Sequence, residues 1–216
     1  MYALIFLSIF LLLVVTSHVL YKFLRVSSEN SRKFLHVSGG ILALFAPVFS
    51  TSHWWVLGLC SLAFLFLLFT YIKQWLPAVH QTERTSIGSV IFPIPLYICF
   101  LIAENRNDYL LFYLPISFLT ISDALAQWAG KKWEQHSIQL MNKQKTLIGS
   151  TFFAISALII SSVWAIVFGL EMDQVIVLAF TTSILATVTE LISTKGWDNL
   201  TVPLITLACL LFLRTT

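Results

Sequence analysis

Between Ser122 and Ser150 the chain places an acid, a group of cations and a small-residue helix start within one short stretch. Asp123 stands inside an apolar run, Thr120-Ile121-Ser122-Asp123-Ala124-Leu125-Ala126. Lys131, Lys132, Lys143 and Lys145 follow, and Thr146-Leu147-Ile148-Gly149-Ser150 opens the next apolar run. A carboxylate at membrane depth, clustered cations and a Gly/Ser entry to a helix can together hold a metal and a polyphosphate at a bilayer surface. Lys145-Thr146 is no P-loop, because no glycine-rich turn or strand leads into it. An N-terminal helix turn with a cap hydroxyl and a lysine is an anion site of another kind.

Further acids and cations join this set. Glu190 lies near the end of a later apolar run, and Asp198-Asn199 open the next one. Asp198 and Asn199 also suit a helix cap. Arg84, just before Ser86 and Gly88, is placed for a phosphate. Arg32 and His36 are four apart and share a helix face. Arg32 and Lys33 serve equally well as topology anchors, and Lys131 and Lys132 are explained the same way.

The elements that must position these residues follow from composition. Of 216 residues, 58% are hydrophobic and 11% charged, and the mean hydropathy is +0.87. A soluble domain carries about a quarter of its residues charged, so the expectation is an all-α, polytopic integral membrane bundle forming one catalytic domain over residues 1–216. Apolar stretches of spanning length predict about eight transmembrane helices: 2–21, 34–49, 54–72, 87–103, 109–130, 147–168, 174–192 and 199–213. The first run lacks a basic n-region and a cleavage site and reads as a span. The second is short and contains Gly39-Gly40 and Pro47. Pro93 and Pro95 must break the fourth. Cys60, Cys99 and Cys209 fall within spans with no paired spacing, which excludes a disulfide framework or thiolate metal site.

Charge distribution orients the bundle. Of the 13 Lys and Arg, all but Arg106 and Arg214 fall on alternate connections, which the positive-inside rule assigns to the cytoplasm. On this topology Asp123, Glu190, Asp198 and Lys145 meet at the cytoplasmic face. Three carboxylates and several cations on one face point to a divalent metal with phosphates. A transporter would need polar residues at depth from both faces, and the second, third and eighth spans are almost wholly apolar. Nothing in the pattern implies a nucleic acid polymer as partner, and the oligomeric state is left open.

Taken together these residues resemble the polyprenol kinase family: the dolichol, phytol and farnesol kinases and the fungal CTP-dependent diacylglycerol kinases. The matching pieces are Arg32-Lys33 with His36, Arg84 with Ser86 and Gly88, Asp123 through Lys132, Lys145-Thr146 with Gly149-Ser150, and Glu190 with Asp198 through Pro203. The resemblance implies transfer of the γ-phosphoryl of CTP to a lipid alcohol, with Mg²⁺. On that reading Asp123, Lys145, Glu190 and His36 are catalytic, and Asp123, Asp198 and Glu190 face the metal. Arg84, Lys132, Lys143, Lys145, Thr146, Gly149, Ser150 and Asn199 hold the nucleotide. The related phosphatidate cytidylyltransferases share the Asp-containing span and the Lys-Lys-Thr-x-x-Gly segment. Their closing motif carries a second Asp and a His that Lys195-Gly196-Trp197-Asp198-Asn199-Leu200 lacks, which favours a kinase. A CTP-dependent diacylglycerol kinase or a cytidylyltransferase is the alternative.

Overall fold

A computed structural model describes residues 2–49, 52–76, 79, 87–133, 137–140 and 143–214. The protein is an all-α polytopic membrane bundle. In chain order its helices are α1 (Tyr2–Lys22), α2 (Ser28–Leu44), α3 (Ala46–Phe49), α4 (His53–Lys73), α5 (Gly88–Ile91) and α6 (Pro93–Arg106). Then come α7 (Leu110–Ser117), a π-helical turn (Phe118–Ser122), α8 (Asp123–Lys132), α9 (Leu147–Val167), α10 (Met172–Ile192) and α11 (Asp198–Leu213).

Six segments among the described residues are long and apolar enough to cross a membrane: Leu4–Lys22, His53–Lys73, Gly88–Arg106, Leu110–Lys132, Leu147–Val167 and Met172–Ile192. The two remaining expected spans correspond to shorter helices. Glu29, Arg32 and Lys33 make the first turns of α2 polar, and α11 has only 16 residues.

The fourth span breaks where the prolines require it. Helix α5 ends at Ile91, Phe92 forms the joint, and α6 starts at Pro93, the position where a missing N–H costs least. The second span also breaks, at Phe45 between α2 and α3.

Leu110–Lys132 forms the bundle's axis. It is 72% buried along its apolar window, against 11% for the first span. Phe112, Phe118, Phe100 and Phe153 are fully buried around it. Helix α9 packs between α8 and α10, α10 lies against α11, and α11 returns against α7. At the end away from Lys145, Arg214 Nε pairs with Asp108 Oδ2 at 2.5 Å.

One element was not expected. The segment between α8 and α9 contains an antiparallel hairpin, β1 (Ser137–Leu140) with β2 (Lys143–Thr146), in register from Ser137 opposite Thr146 to Leu140 opposite Lys143. It delivers Lys145 and Thr146 directly to the start of α9.

Candidate functional site

Asp123 begins α8 and is 3% exposed. Its position follows from the π turn before it. Asp123 N–H bonds the carbonyl of Phe118, five residues back. The carbonyl of Leu119, which a regular α-helix would give to that N–H, instead accepts from His36 Nε2 at 2.9 Å. Single π turns inside α-helices recur at functional sites. A carbonyl can only accept, so Nε2 carries the imidazole proton. The same nitrogen lies 3.7 Å from Asp123 Oδ2, and the ring rests edge-on against Phe92 at the break in the fourth span.

Gln127 Nε2 donates to Asp123 Oδ2 at 2.6 Å. Gln127 is not among the expected site residues; its i,i+4 spacing from Asp123 on one helix face is the signal in the sequence that points to it.

Lys145 leads into the same end of the bundle from β2. Its ammonium pairs with Glu190 Oε1 and lies 3.8 Å from Asp198 Oδ2. Burial alone would lower its pKa; the carboxylates of Glu190, Asp198 and Asp123 outweigh that and hold it above the usual lysine range. Thr146 caps α9, its Oγ1 accepting from Gly149 N–H at 3.1 Å. Gly149 and Ser150 are buried in the first turn of α9.

Glycines let these elements meet. A Cβ at Gly149 would stand 2.9 Å from both the Ala126 carbonyl and Thr146 Oγ1, and one at Gly130 would stand 2.5 Å from Thr146 Oγ1. Gly149 therefore serves the crossing of α8 and α9, as Ala126 and Gly130 do. A Cβ at Gly88 would meet Asn199 Nδ2 at 2.6 Å. Ile87 N–H bonds the Lys195 carbonyl at 3.1 Å, tying the start of the fourth span to the turn before α11.

The structure thus brings together His36, Asp123, Lys145, Thr146, Gly149, Ser150, Glu190, Asp198 and Asn199 at one end of the bundle. Lys132 stands apart from the carboxylates. Its ammonium lies over the Trp128 and Trp133 rings, 4.7 and 5.0 Å from their centroids, an exposed aromatic anchor. Arg84 lies outside the described residues, and only the backbone of Lys143 is described.

Among the described residues, five buried polar atoms of the π turn, α8, α9 and α10 around the cluster have no hydrogen-bond partner: Thr120 Oγ1, Ser122 Oγ, Asp123 Oδ1, Ser150 Oγ and Glu190 Oε2. Buried polar groups are ordinarily satisfied, and a concentration of exceptions marks a place that receives something polar. These are hard oxygen donors, and two of the five are carboxylate oxygens, which fits Mg²⁺. The described residues hold no group of three or more His, Cys, Asp or Glu placed around one ion. Lys145 stands between Glu190 and Asp198, so these residues leave at most one or two carboxylates free to face an ion.

A cavity of about 290 Å³ adjoins the cluster. Arg32, His36, Ser89 and Asn199 form its polar end, and α1, α2, α4, α5 and α6 supply apolar walls. Arg32 Nε is buried there without a partner. Phe92, Pro93 and Leu96, at the break in the fourth span, line this cavity.

A multi-pass helical bundle with a buried carboxylate–lysine cluster beside a largely apolar cavity is the class these observations define. Among curated proteins the chain is similar to a phytol kinase of Synechocystis sp., 27% identical over 196 residues that cover 88% of this chain and 82% of that one. The likeness runs through most of both sequences and supports the resemblance to the polyprenol kinase family. No family model matches the chain, and no solved structure matches it.

Proposed function

We propose that the protein is a membrane kinase that transfers the γ-phosphoryl group of CTP to an isoprenoid alcohol of the polyprenol or phytol type. The observation that carries this reading is the shared residue between two sites. His36 lines the polar end of the apolar cavity and also touches Asp123, which begins the carboxylate–lysine cluster. An alcohol with its tail in the cavity has its hydroxyl beside the phosphate site. The similarity to a phytol kinase supports the acceptor class.

Lys145, Lys143 and Arg84 neutralise the phosphates, and the capped N-terminus of α9 at Thr146, Gly149 and Ser150 receives them. Asp123 and Asp198 would hold Mg²⁺, which would supply charge neutralisation on the transferring group. The acceptor oxygen bonds to the γ-phosphorus as the bond to the β-bridging oxygen breaks, and CDP leaves with that electron pair. The hydroxyl proton passes to a carboxylate; that Glu190 Oε2 is buried without a partner supports Glu190 in this role. His36 orients Asp123 and keeps the alcohol end of the cavity polar. The basic connections put this chemistry at the cytoplasmic face.

Purified protein in lipid, given γ-labelled CTP and phytol, geranylgeraniol, a long polyprenol or diacylglycerol, tests the reading. Label on a prenyl alcohol with release of CDP is expected. Label on diacylglycerol alone would make it the diacylglycerol kinase, and pyrophosphate release with a CDP-lipid would make it a cytidylyltransferase.

A further inference from the structure

The apolar cavity has two unlike ends. Arg32, His36 and Asn199 line one; Phe6, Ala43, Ala46 and Val56 line the other. From His36 to Leu44, the last residue of α2, the wall advances about 12 Å at helical rise, room for a short prenyl tail and not for a long polyprenol. At the far end the Phe6 ring meets Phe49 of α3 edge-on, with centroids 5.9 Å apart at 66°. The break at Phe45 between α2 and α3 precedes this contact. Ala43 and Ala46 are both 8% exposed and leave the room that Phe6 bounds.

We infer that Phe6, backed by Phe49, is the floor of the acceptor cavity and sets the length of alcohol the protein accepts. The inference rests on the lipid-alcohol kinase reading and adds to it a specificity-determining residue remote from the chemistry. A tail longer than the cavity must displace the Phe6 ring or leave apolar carbons outside the protein walls. A shorter tail leaves the floor unfilled. Discrimination by fit in an apolar pocket is worth roughly tenfold or somewhat more per small group. Removing the ring should pass that discrimination to longer alcohols, and enlarging Ala46 should pass it to shorter ones. The first variant should fold, because only 11% of the first span's apolar window is buried.

The test compares the full-length wild type, Phe6→Ala and Ala46→Leu in lipid nanodiscs with farnesol, phytol, geranylgeraniol and a long polyprenol. Binding is read by displacement of a fluorescent long-chain alcohol, and turnover from γ-labelled CTP is read beside it. Wild type should rank phytol and geranylgeraniol above the long polyprenol. Phe6→Ala should move the long-to-short ratio upward by on the order of tenfold, and Ala46→Leu should move it the other way. Should Ala46→Leu fail to fold, Phe6→Ala alone decides. An unchanged ranking in folded Phe6→Ala overturns the floor. A ranking that moves in binding, with no phosphate transferred to any alcohol, would keep the floor and reject the kinase reading instead.

Discussion

His36 Nε2 lies 3.7 Å from Asp123 Oδ2 because the π turn at Phe118–Ser122 leaves the Leu119 carbonyl for the imidazole. In an unbroken α-helix that carbonyl would be taken and His36 would have no backbone acceptor there. The same turn ends at Asp123, the first residue of α8, so one local irregularity adjoins both the histidine and the acid.

His36→Ala should therefore do two separable things. Leaving a buried carbonyl without its donor costs about 1–3 kcal/mol of stability. Loss of Asp123 orientation should lower kcat by on the order of tenfold, while KM for CTP changes little. His36→Gln keeps a donor and should recover part of kcat. Equal kcat in wild type and His36→Ala would leave His36 a packing residue.

The Gly149→Ala variant probes the crossing of α8 and α9. Its Cβ would meet backbone at the Ala126 carbonyl, 2.9 Å away, which cannot swing aside. A loss of about 1–3 kcal/mol is expected, read as a lower unfolding temperature in detergent. Gly58→Ala, inside α4 with nothing within 4 Å of its Cβ, is the control and should be neutral or slightly stabilising.

Much of this arrangement was legible in the chain. The two prolines announced the fourth-span break, the Thr-x-x-Gly start announced the α9 cap, and the alternating basic connections grouped Asp123, Lys145, Glu190 and Asp198. The π turn was not legible, because no residue type between Phe118 and Ser122 demands it; it is stabilised by a partner, His36, far away in sequence. The hairpin was hidden by composition. Ile138 and Leu140 alternate with polar residues at the period of a strand, but the neighbouring lysines and glutamines read as a loop. The role of Gly149 and Gly130 in helix approach became visible only once both helices were placed.

A clamp joins α2 to α8 just outside the site. Glu29 lies 3.0 Å from Lys33 Nζ and 2.7 Å from Lys131 Nζ. Burial alone would raise the Glu29 carboxyl; hydrogen bonds and charge from Lys131 and Lys33 overcome this and lower it from 4.5 to about 2. A lowered folded-state pKa stabilises above the unfolded value and is lost as pH falls, here between pH 4.5 and about 2. The pair is water-exposed on the Lys131 side, so its worth is about 1 kcal/mol or less. Thermal unfolding against pH should show Glu29→Gln less stable than wild type at neutral pH, with the difference closing as pH falls toward 2. A constant difference across that window would assign the effect to packing.

Lys145, on β2 of the hairpin, and Lys132, in the last turn of α8 before it, should behave differently. Lys145 is ion-paired with Glu190 inside the cluster, whereas Lys132 rests on two indole rings at the surface. Lys145→Ala should reduce kcat/KM for CTP by on the order of a hundredfold or more, and Lys132→Ala by less than about tenfold. Its raised pKa keeps Lys145 charged throughout the physiological range, and its contribution to stability is complete below pH 10.5 and lost only above it. Comparable losses in the two variants at equal expression would remove the special role of Lys145.

The last prediction concerns the metal. Asp123 Oδ1 and Glu190 Oε2 are buried without partners, and Lys145 offsets only part of the negative charge that Glu190, Asp198 and Asp123 gather. An Asp in a membrane span costs about 2.5–3.5 kcal/mol on insertion scales when unpaired, so a second cation at Asp123 and Asp198 would repay both the burial and the repulsion. Asp→Asn keeps the shape and removes the charge. Asp123→Asn and Asp198→Asn should each lower turnover by on the order of a thousandfold, while unfolding temperature without ligand holds or rises. Wild type should gain thermal stability on titration with Mg²⁺ and CTP together, and both variants should gain much less. Substantial activity in Asp123→Asn with an unchanged Mg²⁺ dependence would make the acid a helix-packing group, its role being the hydrogen bond to Gln127 alone.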